Sequence, residues 1–241
     1  FGANLLSAFA GGGAGLVQLP ALILLGLPFS MALATHKLAS VALGLGAGLR
    51  HIQERKLKIH LVLFILVFGL PGVWLGAHFA LAISSESGSV VLGLLTFGIV
   101  LYSINRPQLG TSNRLLLMNR RRLIVGGMVL FVIGFLNGSF SSGTGLFVTL
   151  WLVRWFGMSY SRAVAYTLIL VGLFWNSTGA LVLGLRGEIQ WTWLPMLIAG
   201  SITGGYAGAQ LSLRKGSGAV KRVFELLALL MGTSLIARNL L

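Results

Sequence analysis

Two short stretches hold the residue types from which a binding site could be built inside an otherwise apolar chain. In AFAGGGAGL, Gly11, Gly12, Gly13, Ala14 and Gly15 interrupt an apolar run. In NGSFSSGTGLF, Asn137, Ser139, Ser141, Ser142, Gly143, Thr144 and Gly145 do the same. A helix restarting near Ala14 or near Thr144, with Ser142 or Thr144 able to cap the second, would present free N–H groups and the positive end of its dipole. Glycine lets a ligand approach the backbone closely. Two such ends converging from opposite sides would hold an anion without formal charge. The competing reading is tight helix packing, which glycine also permits. Ser141, Ser142 and Thr144 add polarity that packing does not require. Gly12, Gly13, Ala14, Gly15, Ser141, Ser142, Gly143 and Thr144 are therefore substrate-binding candidates.

The helices that follow the breaks carry the next candidates. ATHKLAS supplies Thr35, His36 and Lys37, and AYTLIL supplies Tyr166 and Thr167 at equivalent positions. Thr35 to Lys37 would sit roughly 8 Å below the outer surface by helical rise. Lys37 is the lysine placed within a span, and is either a snorkelling anchor or an anion ligand. Helical register cannot aim all three of Thr35, His36 and Lys37 at one cavity. Gln18, Asn137, Trp175 and Asn176 are further candidates for its lining. Gly72, Gly76, Gly204 and Gly208 read as helix-packing glycines, His78 and Gln210 as interhelical hydrogen-bonding residues. Arg154 and Arg162 read as surface anchors.

Enzyme chemistry finds little support. Membrane histidines without a nearby Asp or Glu make neither a metal site nor a general acid–base pair. The glycine-rich GGGAG and GSGAVKR follow no strand and match no P-loop. The chain has no cysteine, hence no disulfide or thiolate chemistry. No cofactor is implied.

The elements that must position these residues are membrane spans. The mean hydropathy is +0.92, and 56% of residues are hydrophobic against 9% charged, a composition that excludes a soluble domain. A span needs about 20 apolar residues to cross a ~30 Å core. Spans are expected near 31–50, 61–83, 90–104, 161–184, 191–212 and 223–240, with 2–27 and 123–156 as interrupted segments. Phe1 stands within an apolar run, so residues are expected to precede it. The formal charge of +14 would suggest nucleic acid in a soluble protein; here it reads as cytoplasmic loops facing anionic headgroups, with no nucleic-acid partner. The acids are Glu54, Glu86, Glu188 and Glu225, none deep within a span.

The chain also repeats itself. GGGAGLVQLPALILLGLPFSMALAT (11–35) aligns with SSGTGLFVTLWLVRWFGMSYSRAVAY (141–166) across a one-residue gap, and GVWLGAHFAL (72–81) with GGYAGAQLSL (204–213). Basic residues concentrate in 50–60, 105–122 and 213–222. All three lie inside, as the charge rule requires, only if 123–156 enters and returns on one side. The alternative is a pair of kinked full spans. The expected fold is an all-α polytopic membrane protein of two inverted repeats, each a re-entrant broken-helix hairpin plus three transmembrane helices. The N-terminal repeat would be 1–104, a basic cytoplasmic linker 105–122, and the C-terminal repeat 123–241.

GGGAGLVQLPALILLGLPFSMALATHKLA and GTGLFVTLWLVRWFGMSYSRAVAYT, with GLRGEI and GGYAGAQLSLR downstream, resemble the TauE/SafE family of membrane transporters over nearly the whole chain. That resemblance implies a multi-pass permease of the bacterial inner membrane, exporting sulfite, sulfoacetate or a related sulfur-containing anion. The breaks (Gly11 to Gly15, Gly143 to Gly145) and Thr35 take signature positions. His36 stands where the family usually has a small residue, which bears on substrate choice. The expected partners are a small anionic substrate and membrane lipids, and the family's habit with the apolar surface suggests a homodimer. The competing class is a membrane enzyme or lipid-phosphate handling protein that uses the same helix N-termini.

Overall fold

The structure is a computed structural model that describes residues 1–12, 14–54, 57–80, 94, 97–98, 100–110, 119–141, 143–186 and 189–237. The elements described in it are helical: α1 (Gly2–Ala10), α2 (Ala14–Leu24), α3 (Phe29–Glu54), α4 (Ile59–Phe79), α5 (Arg120–Phe140), α6 (Thr144–Phe156) and α7 (Tyr160–Ile169). A π-helical segment, Leu170–Trp175, leads into α8 (Asn176–Gly184), and a 3-10 turn, Trp191–Trp193, into α9 (Leu194–Ala237). Phe29–His51, Ile59–Phe79, Arg120–Phe140 and Tyr160–Gly184 are long and apolar enough to cross a membrane. They match the expected spans at 31–50, 61–83 and 161–184 and the first arm of 123–156. The expected span at 90–104 lies partly outside the described residues.

Two expectations differ in detail. Residues 191–212 and 223–240 do not flank an open loop. Helix runs through the basic stretch, and its geometry departs only at Gly216 (φ 74, ψ 177). One glycine at positive φ is enough to redirect a chain that otherwise has helix-forming residues on both sides. The first arm of 123–156 is a 21-residue helix, about 31 Å long, so it has the length of a full span. The second arm, α6, has 13 residues.

Glycine sets how these helices meet. α4 and α5 run parallel: a Cβ on Gly72 would strike Phe131 O, one on Gly76 Phe135 O, and one on Gly138 Val73 O. α1 and the first part of α9 pair in the same parallel manner. A Cβ on Gly204 would lie 2.6 Å from Phe1 O, and one on Gly208 would strike Leu5 O. The packing role read for these glycines in the sequence is what the geometry displays. α3 runs parallel to α9, with Gly46 against Ile202 O and Gly205 against Leu43 O, and antiparallel to the α7–π–α8 run, where a Cβ on Gly44 would lie 2.7 Å from Gly172 C. α6 folds back along α5, for Trp155 Nε1 donates to Arg122 O (3.0 Å) and Trp151 Nε1 to Gly126 O (3.3 Å). Both ends of the α5–α6 hairpin therefore lie at the same end of the bundle.

Polar bonds secure that end. Lys221 Nζ donates to Arg106 O (2.7 Å) and Pro107 O (3.1 Å) and pairs with Glu225 (3.4 Å). Ser103 Oγ donates to the same carboxylate (2.7 Å). Gln210 accepts an interhelical bond from Arg50 Nε, as expected. His78 instead bonds the carbonyl of Trp74 one turn back in its own helix (2.9 Å).

Gly76→Val and Gly208→Val should each lower the thermal midpoint of the purified protein, at a cost of about 1–3 kcal/mol or more for overpacking. Gly218→Val, where no atom lies within 4 Å of the added Cβ, should stay within about 0.5 kcal/mol. Equal midpoints for all three variants would remove the packing role.

Candidate functional site

Each break is a helix C-terminus followed closely by a helix N-terminus. α1 closes on Gly11 (φ 86, ψ 31), and the N–H groups of Gly11 and Gly12 both donate to Ser7 O (2.8 and 2.9 Å). This left-handed closure gives the Ser7 carbonyl two donors. α5 closes on Ser141 (φ 58, ψ −32), whose N–H donates to Asn137 O. Ser141 is the described non-glycine residue with positive φ, a conformation costing on the order of 1–3 kcal/mol. Gly143 (φ 72) then turns the chain into α6.

The two breaks touch. A Cβ on Gly12 would stand 2.6 Å from Gly145 C and 2.7 Å from Leu146 N, and one on Gly145 2.9 Å from Gly12 Cα. The first turns of α2 and α6, one from each half of the chain, therefore converge. The N-cap of α6 is Gly143, and no described side chain caps the helix. The Thr144 hydroxyl, which the sequence offers for capping, turns back instead, donating to Ser141 O (3.0 Å) and accepting from Asn137 Nδ2 (2.9 Å). Gly13 and Ser142, the remaining candidates in the breaks, lie outside the described residues.

A cavity of about 40 Å³ opens where the breaks meet, room for up to about three waters. Gly12, Ala14 and Gly15 line it from the first break, and Asn137, Ser141, Thr144 and Gly145 from the second. The following helices add His36 and Ser40 from α3 and Thr167 and Asn176 from either side of the π segment. No carboxylate is among these described lining residues.

The polar groups are tied to one another. His36 Nδ1 lies 3.0 Å from Gln18 Oε1, and Nε2 lies 3.3 Å from Ser40 Oγ. A carbonyl oxygen only accepts, so Nδ1 carries the proton in the neutral ring and Nε2 receives the serine hydroxyl. Gln18 thus acts behind His36. Thr149 Oγ1 lies 2.8 Å from Gly11 O and 2.9 Å from Thr167 Oγ1, joining the first break to the cavity wall. Among the described residues, Asn176 Oδ1 is buried with no hydrogen-bond partner. It follows the π-helical segment directly, and π segments are frequent at functional sites.

Other candidates are placed elsewhere. The Thr35 hydroxyl accepts the N–H of Gln190 (2.9 Å), and the Tyr166 hydroxyl accepts the N–H of Lys58 (2.7 Å). Both residues are fully buried, each holding the chain just ahead of a glycine-bearing helix, α9 or α4. Trp175 is fully buried and packs its indole on Gly69 of α4. Gly143 turns the chain and is not part of the cavity wall. Ser7, Ser40 and Thr149 were not singled out from the sequence. Ser40 lies one helical turn from His36 on the same face, a spacing that could have found it.

Lys37 takes neither of the roles weighed for it. It is fully buried, so it does not snorkel, and it is not part of the cavity wall. Its Nζ donates to Asn137 O (2.7 Å) and lies 3.5 Å from Asn137 Oδ1. The ammonium thus sits on the carbonyl end of α5, where a cation complements the dipole. Asn137, itself part of the cavity wall, links it to Thr144.

Long apolar helices surrounding two broken ones define a multi-pass α-helical membrane protein. The chain belongs to the family described as sulfite exporter TauE/SafE, which it matches over residues 1–235. It is 30% identical over 236 residues to a probable membrane transporter protein of Haemophilus influenzae, covering 98% of this chain and 91% of that one. It is 27% identical over 240 residues to the probable membrane transporter protein YfcA of Escherichia coli K12, with 97% and 86% covered. To the probable membrane transporter protein YunE of Bacillus subtilis it is 23% identical over 257 residues, with 97% and 93% covered. No solved structure matches it.

Lys37→Met keeps the length of the side chain and removes the charge. It should cost about 1–3 kcal/mol and speed hydrogen–deuterium exchange in residues 137–146. Unchanged exchange there would show that Lys37 does not hold the break.

Proposed function

We propose that the protein carries a small anion across the bacterial inner membrane through the cavity at the meeting of the two breaks. The observation that carries this reading is the N-terminus of α6, which no described side chain caps, set against Gly12 and the start of α2, around a cavity whose described lining has no carboxylate. Helix N-termini attract anions, and a backbone interruption in a membrane is tolerated where it borders a cavity or is packed in protein.

In this reading the halves 1–104 and 123–241 are inverted repeats joined by the basic linker 105–122. Two pairs of contacts support it. α4 of the first half lies parallel to α5 of the second, while α9 of the second lies parallel to α1 of the first. Thr35 holds Gln190, and Tyr166, its counterpart in the repeat, holds Lys58. With 11 residues in α2 and 13 in α6, the two inner arms are about 16 and 20 Å long. Entering from opposite faces, they would meet near the middle of a ~30 Å core. Basic segments 50–60, 105–122 and 213–222 then all face the cytoplasm.

The family's description and the small cavity favour sulfite, with a short organosulfonate such as sulfoacetate as the larger candidate. An inside-negative potential drives an anion outward with about 2.3 kcal/mol per charge per 100 mV, so export needs no coupling ion.

The test is flux from liposomes containing the purified protein, under an imposed potential, with sulfite and sulfoacetate in separate arms. Ser40→Ala and Thr167→Val should each reduce flux about tenfold or more, the loss expected for one hydrogen bond to a charged group. Thr35→Val and Tyr166→Phe, outside the cavity, should retain flux per folded molecule. If the unaltered protein moves neither anion, the reading fails.

A further inference from the structure

A second cavity lies apart from the breaks, between α5, α6 and the helical residues around Tyr102. It is a groove of about 320 Å³. Val129, Ile133 and Leu136 form one wall and Phe147, Leu150 and Trp151 the other. The first three stand at i, i+4 and i+7 along α5, and the others at i, i+3 and i+4 along α6, so each wall is one helix face. The charged residue in the groove is Arg154, one turn beyond Leu150, beside Tyr102.

Tyr102 and Arg154 also line an open recess with Asn105, Arg106, Pro107 and Gln108. Groove and recess are therefore one feature, an apolar trough with a cationic mouth. Arg154 Nε donates to the Tyr102 hydroxyl, and the Arg106 guanidinium lies 6.0 Å from the centre of the same ring. Among the described residues neither arginine is paired with a carboxylate; the ion pair at this end joins Lys221 to Glu225. Arg154 adjoins Trp155, which bonds Arg122 O at the start of α5, so the mouth opens at the basic end of the bundle.

We infer that this feature is a binding site for one anionic phospholipid. Its phosphate would sit between Arg106 and Arg154 with an acyl chain in the trough. Guanidinium groups bind phosphate oxygens in a directional, two-pronged way, and basic pockets at the cytoplasmic boundary select anionic headgroups. A soluble anion would use the mouth and leave the trough empty. A second copy of the chain would gain little contact, because Ile133, Phe147 and Leu150 are already at least nine-tenths buried; a slender acyl chain fits such a crevice. The lipid would brace both arms of the hairpin whose tip forms the second break. The inference does not depend on what is transported.

The test uses the full chain in detergent, with phosphatidylglycerol, phosphatidylcholine and inorganic phosphate added separately. Native mass spectrometry reads retained lipid, and thermal unfolding reads stabilisation. Phosphatidylglycerol should be retained one to one and raise the midpoint, with phosphatidylcholine weaker. Replacing both exposed arginines, Arg106→Gln with Arg154→Gln, should reduce the preference for phosphatidylglycerol by about tenfold or more. Val129→Phe, which narrows the trough, should weaken retention of both lipids. Equal retention of the two lipids, an undiminished preference in the double variant, equal stabilisation by phosphate alone, or a dimer that excludes lipid would each overturn the proposal.

Discussion

Everything else in this structure depends on two stretches of backbone being able to touch. Gly12 and Gly145 meet with no room for a Cβ on either, and the same holds for Gly44 and Gly172 farther along. A broken helix inside a membrane leaves N–H and C=O groups that hydrocarbon cannot satisfy. Here each break is packed against the other and against a small polar cavity. Any side chain at the contact would part the two helix starts and separate the groups that line the cavity.

The charges near this contact are arranged so that one end of a dipole is answered and the other is left available. At the second break, the carbonyl end of α5 and the N–H end of α6 lie only a few residues apart, and their fields would partly cancel. Lys37 donates to the carbonyl end, while no described side chain caps the N–H end. At the first break Ser7 O receives two backbone N–H groups, and Gly11 O receives the Thr149 hydroxyl. The starts of α2 and α6 border the cavity, while Lys37 itself stands behind its wall. The His36 ring faces the same cavity and is held by Gln18 and Ser40.

The scaffold holds these groups through contacts between distant parts of the chain. α4 supports the α5–α6 hairpin, and α9 supports α1, through small residues that bring backbones close, with Ser139 Oγ donating to Gly76 O (3.1 Å) and Asn4 Nδ2 to Ser201 Oγ (3.1 Å) across the two contacts. The hydroxyls of Thr35 and Tyr166 pin the chain entering α9 and α4. Residues that read as binding groups by position thus fasten the frame around the cavity.

Much of this was legible in the sequence because it depends on composition and local spacing. Hydrophobic length marked the spans at 31–50, 61–83 and 161–184, and clustered glycines marked both breaks. Repeated small residues at Gly72, Gly76, Gly204 and Gly208 marked the helix contacts. The tertiary structure decided which side chains share the cavity. Lys37 finds its partner 100 residues away, beyond the reach of any local pattern. Among Thr35, His36 and Lys37, adjacent positions differ by roughly 100° around the helix, so only packing could select His36 for the cavity. The π-helical segment shifts the register again, turning Trp175 toward α4 and Asn176 toward the site. Period and propensity are properties of neighbouring residues, whereas direction and partnership arise only when distant helices are brought together.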